Sequence, residues 1–263
     1  MWLTSLPLWA SGFLIIVVPT ALAMAGTCLI RRRVPLARLR INNEVAGFKF
    51  ATVGVLYAVL LAFAVLVVWE KFSDAESDVA REAGSLVNIY RIVEGTSPAP
   101  RAQLRALLTR YLETAIAEDW PAMSRGRPSP AVTRALNALY YAVDGYAPSD
   151  QREAALMTAM LNQLTAVTEA RRERLVKASG AVPGVIWLVL VVGGVLTIGF
   201  TFFFGTENLR AQTLMTGALS VLIFSGLLVI ICIDHPFTGP FKVGPDPMLL
   251  ALEDFGRSEG LAR

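Results

Sequence analysis

The most constraining feature of this sequence is a long apolar segment, Asn43 to Trp69, with a carboxylate near its start. The stretch from Ala46 to Trp69 is long enough to cross a bilayer, which takes about 20 predominantly apolar residues. A stripe of residues three or four positions apart shares one face of the predicted helix: Glu44, Gly47, Ala51, Gly54, Ala58 and Ala62. A stripe of small residues either lets a second helix pack very closely or lines a narrow pathway for ions.

Composition places the chain among integral membrane proteins. Of its 263 residues, 54% are hydrophobic and only 17% are charged. Three more apolar runs are each long enough to cross the hydrocarbon: Pro7–Ile30, Val182–Phe204 and Thr213–Ile233. Arginines follow the first run instead of preceding it, so we interpret that run as a retained span and not as a cleaved signal peptide. The sequence therefore predicts four transmembrane helices and a location in the inner (plasma) membrane.

Between the second and third spans lies a polar insert, residues 70–180, that we expect to be helical throughout. Apolar residues recur at intervals of three and four from Phe72 to Val93, so the second span should continue as an amphipathic helix beyond the membrane. Serine followed by proline, typical of an N-cap and a first helical position, predicts helix starts at Ser97 and Ser129. Together with a long returning helix, these elements predict a four-helix bundle.

The predicted fold class is all-α, an integral membrane protein with an extramembrane helical bundle. We expect four regions along the chain: residues 1–69 with spans one and two, 70–180 with the bundle, 181–233 with spans three and four, and 234–263 as a C-terminal tail. The two internal helices of the bundle should cover about residues 99–119 and 131–144. The loop 31–40 holds five arginines in ten residues, and the positive-inside rule places short basic loops in the cytoplasm. This pattern predicts a cytoplasmic loop and an extracytoplasmic insert.

The sequence lacks the residues that several classes of enzyme need. The only histidine is His235, and the sequence contains no HExxH, no G-x-S-x-G and no P-loop motif. A zinc site would have to combine His235 with carboxylates or use carboxylates alone, and a nucleophilic triad around a lone histidine has no identifiable partners. The net charge of +3 is small, and the basic residues cluster at segment ends as topology signals and lipid contacts. We therefore predict a protein that is not an enzyme, with no cofactor, no metal and no nucleic-acid partner.

The first candidate site is the pair Asn43 and Glu44 at the start of span two. One interpretation is an ordinary helix start, with asparagine as the cap and glutamate in the first turn, where the helix dipole favours an acid. The other is a ring of these side chains at a pore mouth in an oligomer, where acids concentrate cations. The local pattern by itself favours the helix start.

Two further sites contain charged residues that should be paired. Asp234 directly follows the last span, where the helix dipole disfavours an acid, so it should have a basic partner or, less favoured, a bound cation. His235 beside it is either structural or a source of pH sensitivity. Glu82 on the extended second helix should meet Arg172 and Arg174 of the returning helix in an interhelical ion-pair network.

A motif enters span two: Asn42-Asn43-Glu44-Val45-Ala46-Gly47. Weaker motifs follow along the chain: Glu82-Ala83, Arg172 to Leu175, Pro183 with Trp187, and Asp234-x-Pro236-Phe237. In content and order, over nearly the whole chain, these segments resemble the bestrophin-like domain family of bacterial membrane proteins.

This resemblance implies a homo-oligomer, a pentamer by analogy with the bestrophin anion channels, whose second span lines the pore. Carried over to this sequence, it places an axial pathway along one face of span two: Asn43, Glu44, Gly47, Ala51, Gly54 and Ala58. The implied partners are further copies of the chain, membrane lipids and small inorganic ions. The mouth carries Glu44 instead of a basic ring, and acids favour cations, so the leading hypothesis is a cation-preferring ion channel. Two alternatives stay open: a bestrophin-like anion channel, and a membrane scaffold or sensor whose helical bundle binds a partner or ligand.

Overall fold

The structure, a computed structural model, describes residues 7–41 and 43–261. All regular secondary structure in these residues is helical, which confirms the predicted all-α fold class. In chain order the helices are α1 (Leu8–Arg33), α2 (Leu36–Ile41), α3 (Asn43–Val93), α4 (Pro98–Thr114), α5 (Pro130–Asp144), α6 (Gln151–Lys177), α7 (Gly184–Phe203), α8 (Leu209–Ile233) and α9 (Asp246–Leu261). Within the described ranges four of them, α1, α3, α7 and α8, are long and apolar enough to cross a membrane.

Three of these helices depart locally from regular α-helix. A π-helical stretch, Phe13–Val17, lies inside α1. After α4 the chain continues through a π-helical turn, Ala115–Asp119, into one more α-helical turn, Trp120–Met123. The last turn of α7, Thr201–Phe203, is 3₁₀-helical. The two predicted internal helices of the insert, about 99–119 and 131–144, are confirmed to within one residue at their starts.

The longest described helix, α3, is much longer than a membrane requires. It runs unbroken for 51 residues, or about 75 Å at 1.5 Å per residue. A hydrocarbon core of about 30 Å takes up less than half of that length. Because the segment contains no proline, its ladder of backbone hydrogen bonds is not interrupted. The predicted continuation of the second span as an extended helix is therefore confirmed.

The chain folds into two compact units. The first contains the described residues up to Glu70 together with Gly180–Asp234 and Gly239–Phe241. The second contains Lys71–Ser179, His235–Thr238 and the described residues from Lys242 onward. The C-terminal segment, which the sequence analysis treats as a separate tail, thus contributes α9 to the second unit.

In the first unit, glycines let neighbouring spans approach each other closely. A methyl group placed on Gly193 of α7 would lie 2.7 Å from Cδ2 of Tyr57 on α3. One placed on Gly226 of α8 would lie 2.7 Å from Cδ2 of Leu61, also on α3. Carbon atoms do not come this close without displacement, so a methyl group at Gly193 or Gly226 would force the facing side chain of α3 to move.

The second unit is a helical bundle with its own apolar core. Several of its core side chains have no exposed surface and come from α3, α4, α5 and α6: Leu86, Ile89, Leu108, Leu139 and Leu164. Helix α9 packs on this core through Phe255, whose ring stacks on Tyr90 with centroids 4.0 Å apart and planes inclined by 12°. The predicted four-helix bundle is therefore extended by a helix from the C-terminal segment.

Helix starts in the bundle use the serines that the sequence singles out, but in two different ways. The Ser129 hydroxyl accepts a hydrogen bond from the N–H of Ala131 at 3.2 Å, as an N-cap does. The Ser97 hydroxyl instead donates to the Glu153 carboxylate at 2.6 Å. Glu153 also accepts from the N–H and hydroxyl of Ser149, at 2.9 and 2.7 Å. These donors, the Ser97 hydroxyl foremost, lower the pKa of Glu153 to about 2.

Candidate functional site

The start of α3 is tied to the connection between α7 and α8. The Asn43 Nδ2 donates to the Gly205 carbonyl and its Oδ1 accepts from the Gly205 N–H, both at 2.9 Å. At Gly205 a methyl group would lie 2.6 Å from Cβ of Leu39, so glycine is needed there. Asn43 therefore fixes the first turn of α3 with both atoms of its amide. Asn42, which precedes it in the motif, lies outside the described residues.

Glu44 and the small stripe lie on a face of α3 that its own chain leaves open. Glu44, Ala51 and Ala58 are exposed. The buried positions of the same part of the helix are on another face: Ala46, Tyr57, Ala64 and Val68. The other spans of the first unit therefore pack against that second face and not against the stripe.

The two stripe glycines are not required by packing within the described chain. A methyl group on Gly54 would meet no described atom within 4 Å. One on Gly47 would lie 3.8 Å from Cε1 of Phe204, an ordinary van der Waals distance. Phe204 directly follows α7 and packs edge-on against Phe50, with centroids 5.6 Å apart. The space beside Gly54 is thus open to contacts with atoms outside this chain.

Asp234 connects the end of α8 to the segment that leads into α7. It is 4% exposed, and its Oδ1 accepts from the N–H groups of Ala181 at 2.7 Å and Val182 at 2.9 Å. Hydrogen bonds to an ionised acceptor are strong, so they offset the unfavourable position of the acid at a helix C-terminus. His235 is half-buried, and its carbonyl accepts from the N–H of Thr238 at 3.0 Å.

An ionic cluster lies inside the second unit, where Glu82 of α3, Asp119 of the π-helical turn and two arginines of α6 meet. Arg174 donates to Glu82 through Nε at 2.7 Å and through Nη2 at 3.1 Å. Its Nη2 also donates to Asp119 Oδ2 at 3.0 Å. Arg171 binds the two oxygens of Asp119 at 2.9 and 3.2 Å. The structure thus brings Glu82 and Arg174 together as a bidentate pair and links a second pair to it.

Other groups complete the surroundings of this ionic cluster. The Tyr111 hydroxyl donates to Glu82 at 2.6 Å, and the Ser129 N–H donates to Asp119 at 3.0 Å. The Arg174 guanidinium lies over the Trp120 ring, 4.7 Å from its centroid. Two carboxylates and two guanidiniums balance each other, which is the condition under which buried charges are tolerated.

Burial and pairing hold two residues of the cluster, Tyr111 and Arg174, each in one protonation state. Burial, followed by the charge of Glu82, raises the pKa of Tyr111 well above its usual value. Burial acts to lower the pKa of Arg174, but the attraction of Glu82 and its hydrogen bonds outweigh it and raise that pKa. Tyr111 therefore stays neutral and Arg174 stays charged, as suits their part in a structural network.

Of the two arginines predicted to pair with Glu82, Arg174 belongs to this cluster and Arg172 does not, and the members Arg171 and Asp119 were not predicted. Arg172 is exposed, and no ion pair among the described residues includes it. Residues three apart share a helix face, whereas adjacent residues diverge by about 100°. The spacing of Arg171 and Arg174 therefore indicated the buried pair. Asp119 had no comparable local signal, because its partners lie 52 and 55 positions away.

Metal-binding groups do not gather in the part of the chain that the structure describes. No three His, Cys, Asp or Glu side chains in residues 7–41 and 43–261 come together as they would around an ion. Cys28 of α1 and Cys232 of α8 are free thiols. Glu44, an exposed acid at the start of the small stripe, is therefore the candidate site that we consider further.

The chain is similar to known proteins both in sequence and in structure. The sequence matches the bestrophin-like domain over residues 17–248. The structure is similar to the crystal structure of a bacterial bestrophin homolog from Klebsiella pneumoniae that carries a point mutation, with a TM-score of 0.68, 13% identity, and coverage of 92% of this chain and 98% of that chain. It is also similar to the crystal structure of a membrane protein variant, with a TM-score of 0.68, 14% identity, and coverage of 91% and 96%.

A search of curated proteins found no match. At 13% and 14% identity the two structural similarities concern the fold alone. The domain match is different in kind, because it rests on the sequence and covers most of the chain. The chain therefore belongs to the bestrophin-like family of membrane proteins.

Proposed function

We propose that this protein is a homo-oligomeric ion channel whose pore is lined by α3 and which prefers cations. The observation that carries the proposal is the orientation of the small stripe. Glu44, Ala51 and Ala58 are exposed, and Gly54 has open space where a side chain would be. Four spans rarely enclose an aqueous path alone, whereas identical helices around a symmetry axis do so readily. A stripe of small residues then leaves room for a narrow path along that axis.

Family membership supports the assembly. Bestrophins, after which the family is named, are pentameric channels with a pore lined by the second span. We therefore propose a pentamer to which each copy contributes one α3. The proposed pathway follows one face of that helix: Asn43, Glu44, Gly47, Ala51, Gly54 and Ala58.

Within this pathway Asn43 and Glu44 have different roles. Both amide atoms of Asn43 bind Gly205, so Asn43 is a positioning residue for the first turn of α3. Glu44 follows directly and is exposed. In a symmetric assembly it brings one acid per subunit to the same level. Such a ring raises the local concentration of cations and repels anions.

Reversal potentials of the purified protein in planar bilayers, measured in a KCl gradient, test the role of Glu44. The wild-type potential should lie on the cation side, Glu44→Gln should move it towards zero, and Glu44→Lys should move it further. Glu113→Gln is the matched control, since Glu113 is an exposed acid on α4. Unchanged potentials in both Glu44 variants, with conduction retained, would make Glu44 a helix-start residue only. A wild-type potential on the anion side would replace the cation preference by bestrophin-like anion selectivity.

Substitution of Gly54 tests the pore helix itself. A leucine in the stripe should weaken the oligomer or block conduction, because it fills the open space at that position. Mass measurement in mild detergent and in lipid nanodiscs gives the assembly state. A wild-type protein that is monomeric in both would contradict the proposal. An intact oligomer that never conducts would favour the scaffold or sensor hypothesis.

The orientation that we propose has the loop 31–40 in the cytoplasm and the insert outside it. The support is the cluster of five arginines in this short loop. A Ser124→Cys variant, in a background without the two native cysteines, places a thiol at an exposed position of the insert. A membrane-impermeant thiol reagent should label it on intact cells. Labelling only after lysis would reverse the orientation.

A further inference from the structure

A cavity of about 400 Å³ lies in the first unit, against the first turns of α3, the α7–α8 connection and the first turns of α8. Its walls are mainly apolar and include Phe50, Phe204, Met215 and Leu219. Its volume falls within the roughly 300–1,000 Å³ of small-molecule sites. None of the described side chains that line it carries a charge, so its chemistry suits an uncharged ligand.

Gln212, which lines this cavity, has an amide that is only half satisfied. The side chain is 4% exposed, and its Nε2 donates to the Phe204 carbonyl at 2.6 Å. That bond fixes the orientation of the amide, because a carbonyl accepts only from the nitrogen. Oε1 is left buried, without a hydrogen-bond partner among the described residues. A buried acceptor without a partner is unfavourable, so the structure holds an acceptor ready for a donor.

The threonine hydroxyls that line the cavity have already used their protons. The Thr216 hydroxyl donates to Thr201 at 3.3 Å, and the Thr201 hydroxyl donates to a backbone carbonyl of α7 at 2.6 Å. The Thr206 hydroxyl donates to the carbonyl of Asn208 at 3.0 Å. The threonine hydroxyls and Gln212 Oε1 therefore present acceptors, and a ligand that binds to them has to bring the donor.

We propose that this cavity binds a hydroxyl-headed, single-chain neutral lipid. The ligand hydroxyl donates to Gln212 Oε1, and its chain lies against Phe50, Phe204 and Leu219. Three features select this chemistry: a lone buried acceptor, walls without charge, and a position in the unit formed by the apolar spans. The inference is independent of ion conduction, since it rests on the cavity and not on the stripe of α3.

Photolabelling of the full chain in lipid nanodiscs tests the site. The probe is octanol that carries a diazirine on its chain, and mass spectrometry locates the labelled residues. Labelling should concentrate in the lining segments of α3 and residues 201–219. Decanol should compete at about a tenfold lower mole fraction in the bilayer than 1-methoxynonane, an ether with the same number of heavy atoms and no donor.

Two variants test separately what the Gln212 acceptor and the apolar walls contribute to binding. Gln212→Met removes the acceptor at similar side-chain length, so decanol and the ether should compete equally well, and competition by the ether shows that the cavity is still formed. Leu219→Trp fills the cavity and should abolish saturable labelling. Leu222→Trp is the matched control, because Leu222 lies on the same helix and is 71% exposed.

Three results would overturn the proposal. Equal competition by decanol and the ether in the wild-type protein would show that Gln212 selects no donor. Absence of saturable labelling at the cavity would mean that only water binds Gln212 Oε1. Labelling that persists in Leu219→Trp would place the probe on the outer surface of the helices and have the same consequence.

Discussion

Two carboxylates on the same helix, Glu44 and Glu82, have opposite surroundings. Glu44 is exposed at the start of α3, whereas Glu82 has no exposed surface and is bound by Arg174 and Tyr111. Removing a charge from water is tolerated only when the charge is fully paired. Glu82 is therefore committed to the stability of the bundle. Glu44 is exposed to solvent and does not need such pairing, so it is available for an interaction outside the chain.

The largest predicted loss of stability is at Glu82. Glu82→Ala should lower the free energy of unfolding by about 3–5 kcal/mol, because it leaves the Arg174 guanidinium buried without its bidentate partner. Glu44→Ala should change it by less than about 0.5 kcal/mol, as exposed positions usually do. Chemical unfolding of both variants in the same detergent measures the difference. Equal losses would mean that burial does not separate the two acids.

A smaller effect is expected from two adjacent arginines of α6. Arg171→Ala should destabilise the bundle by about 2 kcal/mol, since Asp119 loses two hydrogen bonds but keeps those from Arg174 and Ser129. Arg172→Ala should have almost no effect, because Arg172 is exposed. The same unfolding assay compares them. A loss at Arg172 as large as that at Arg171 would contradict the described network.

Glycines of the spans that face a close neighbour and those that face open space should differ in the same way as the two acids. Gly193→Ala should cost about 1 kcal/mol, because its methyl group would lie 2.7 Å from the Tyr57 ring. Gly54→Ala should leave the stability of the chain unchanged, because the added methyl group meets open space. Thermal unfolding in detergent reports both. A clear destabilisation by Gly54→Ala would show that this face of α3 is packed in the protein.

The smallest effect concerns Glu153, whose pKa is lowered to about 2 from an ordinary value of 4.5. A lowered pKa stabilises the folded state above the ordinary value, and this contribution is lost as the pH falls from about 4.5 towards 2. The stability difference between wild type and Glu153→Gln should therefore shrink over that range. Glu169→Gln, at an exposed position of α6, serves as the control. A difference that stays constant down to about pH 2.5 would argue against the hydrogen bonds to Glu153.

The sequence by itself determined the membrane spans and the internal helices of the bundle. Hydropathy predicts all four spans, because a membrane helix needs a long apolar run and no other stretch of residues 7–41 and 43–261 satisfies that length. Three- and four-residue periodicity predicts the extension of α3 to Val93, and serine followed by proline predicts the start of α5 at Pro130. These properties are local, so a short window of residues contains all the information that they require.

Only the tertiary structure decided which side chains meet. Asn43 pairs with Gly205 across 162 positions, and Arg171 pairs with Asp119 across 52. The C-terminal helix joins the bundle through Phe255, and the apolar spacing of Met248, Ala251 and Phe255 does not by itself reveal this contact. Such contacts depend on how whole helices rotate and approach each other, which is set by the summed packing of many residues. Spacing therefore predicts that Arg171 and Arg174 share a helix face, whereas Asp119 as a partner of both is known only from the structure.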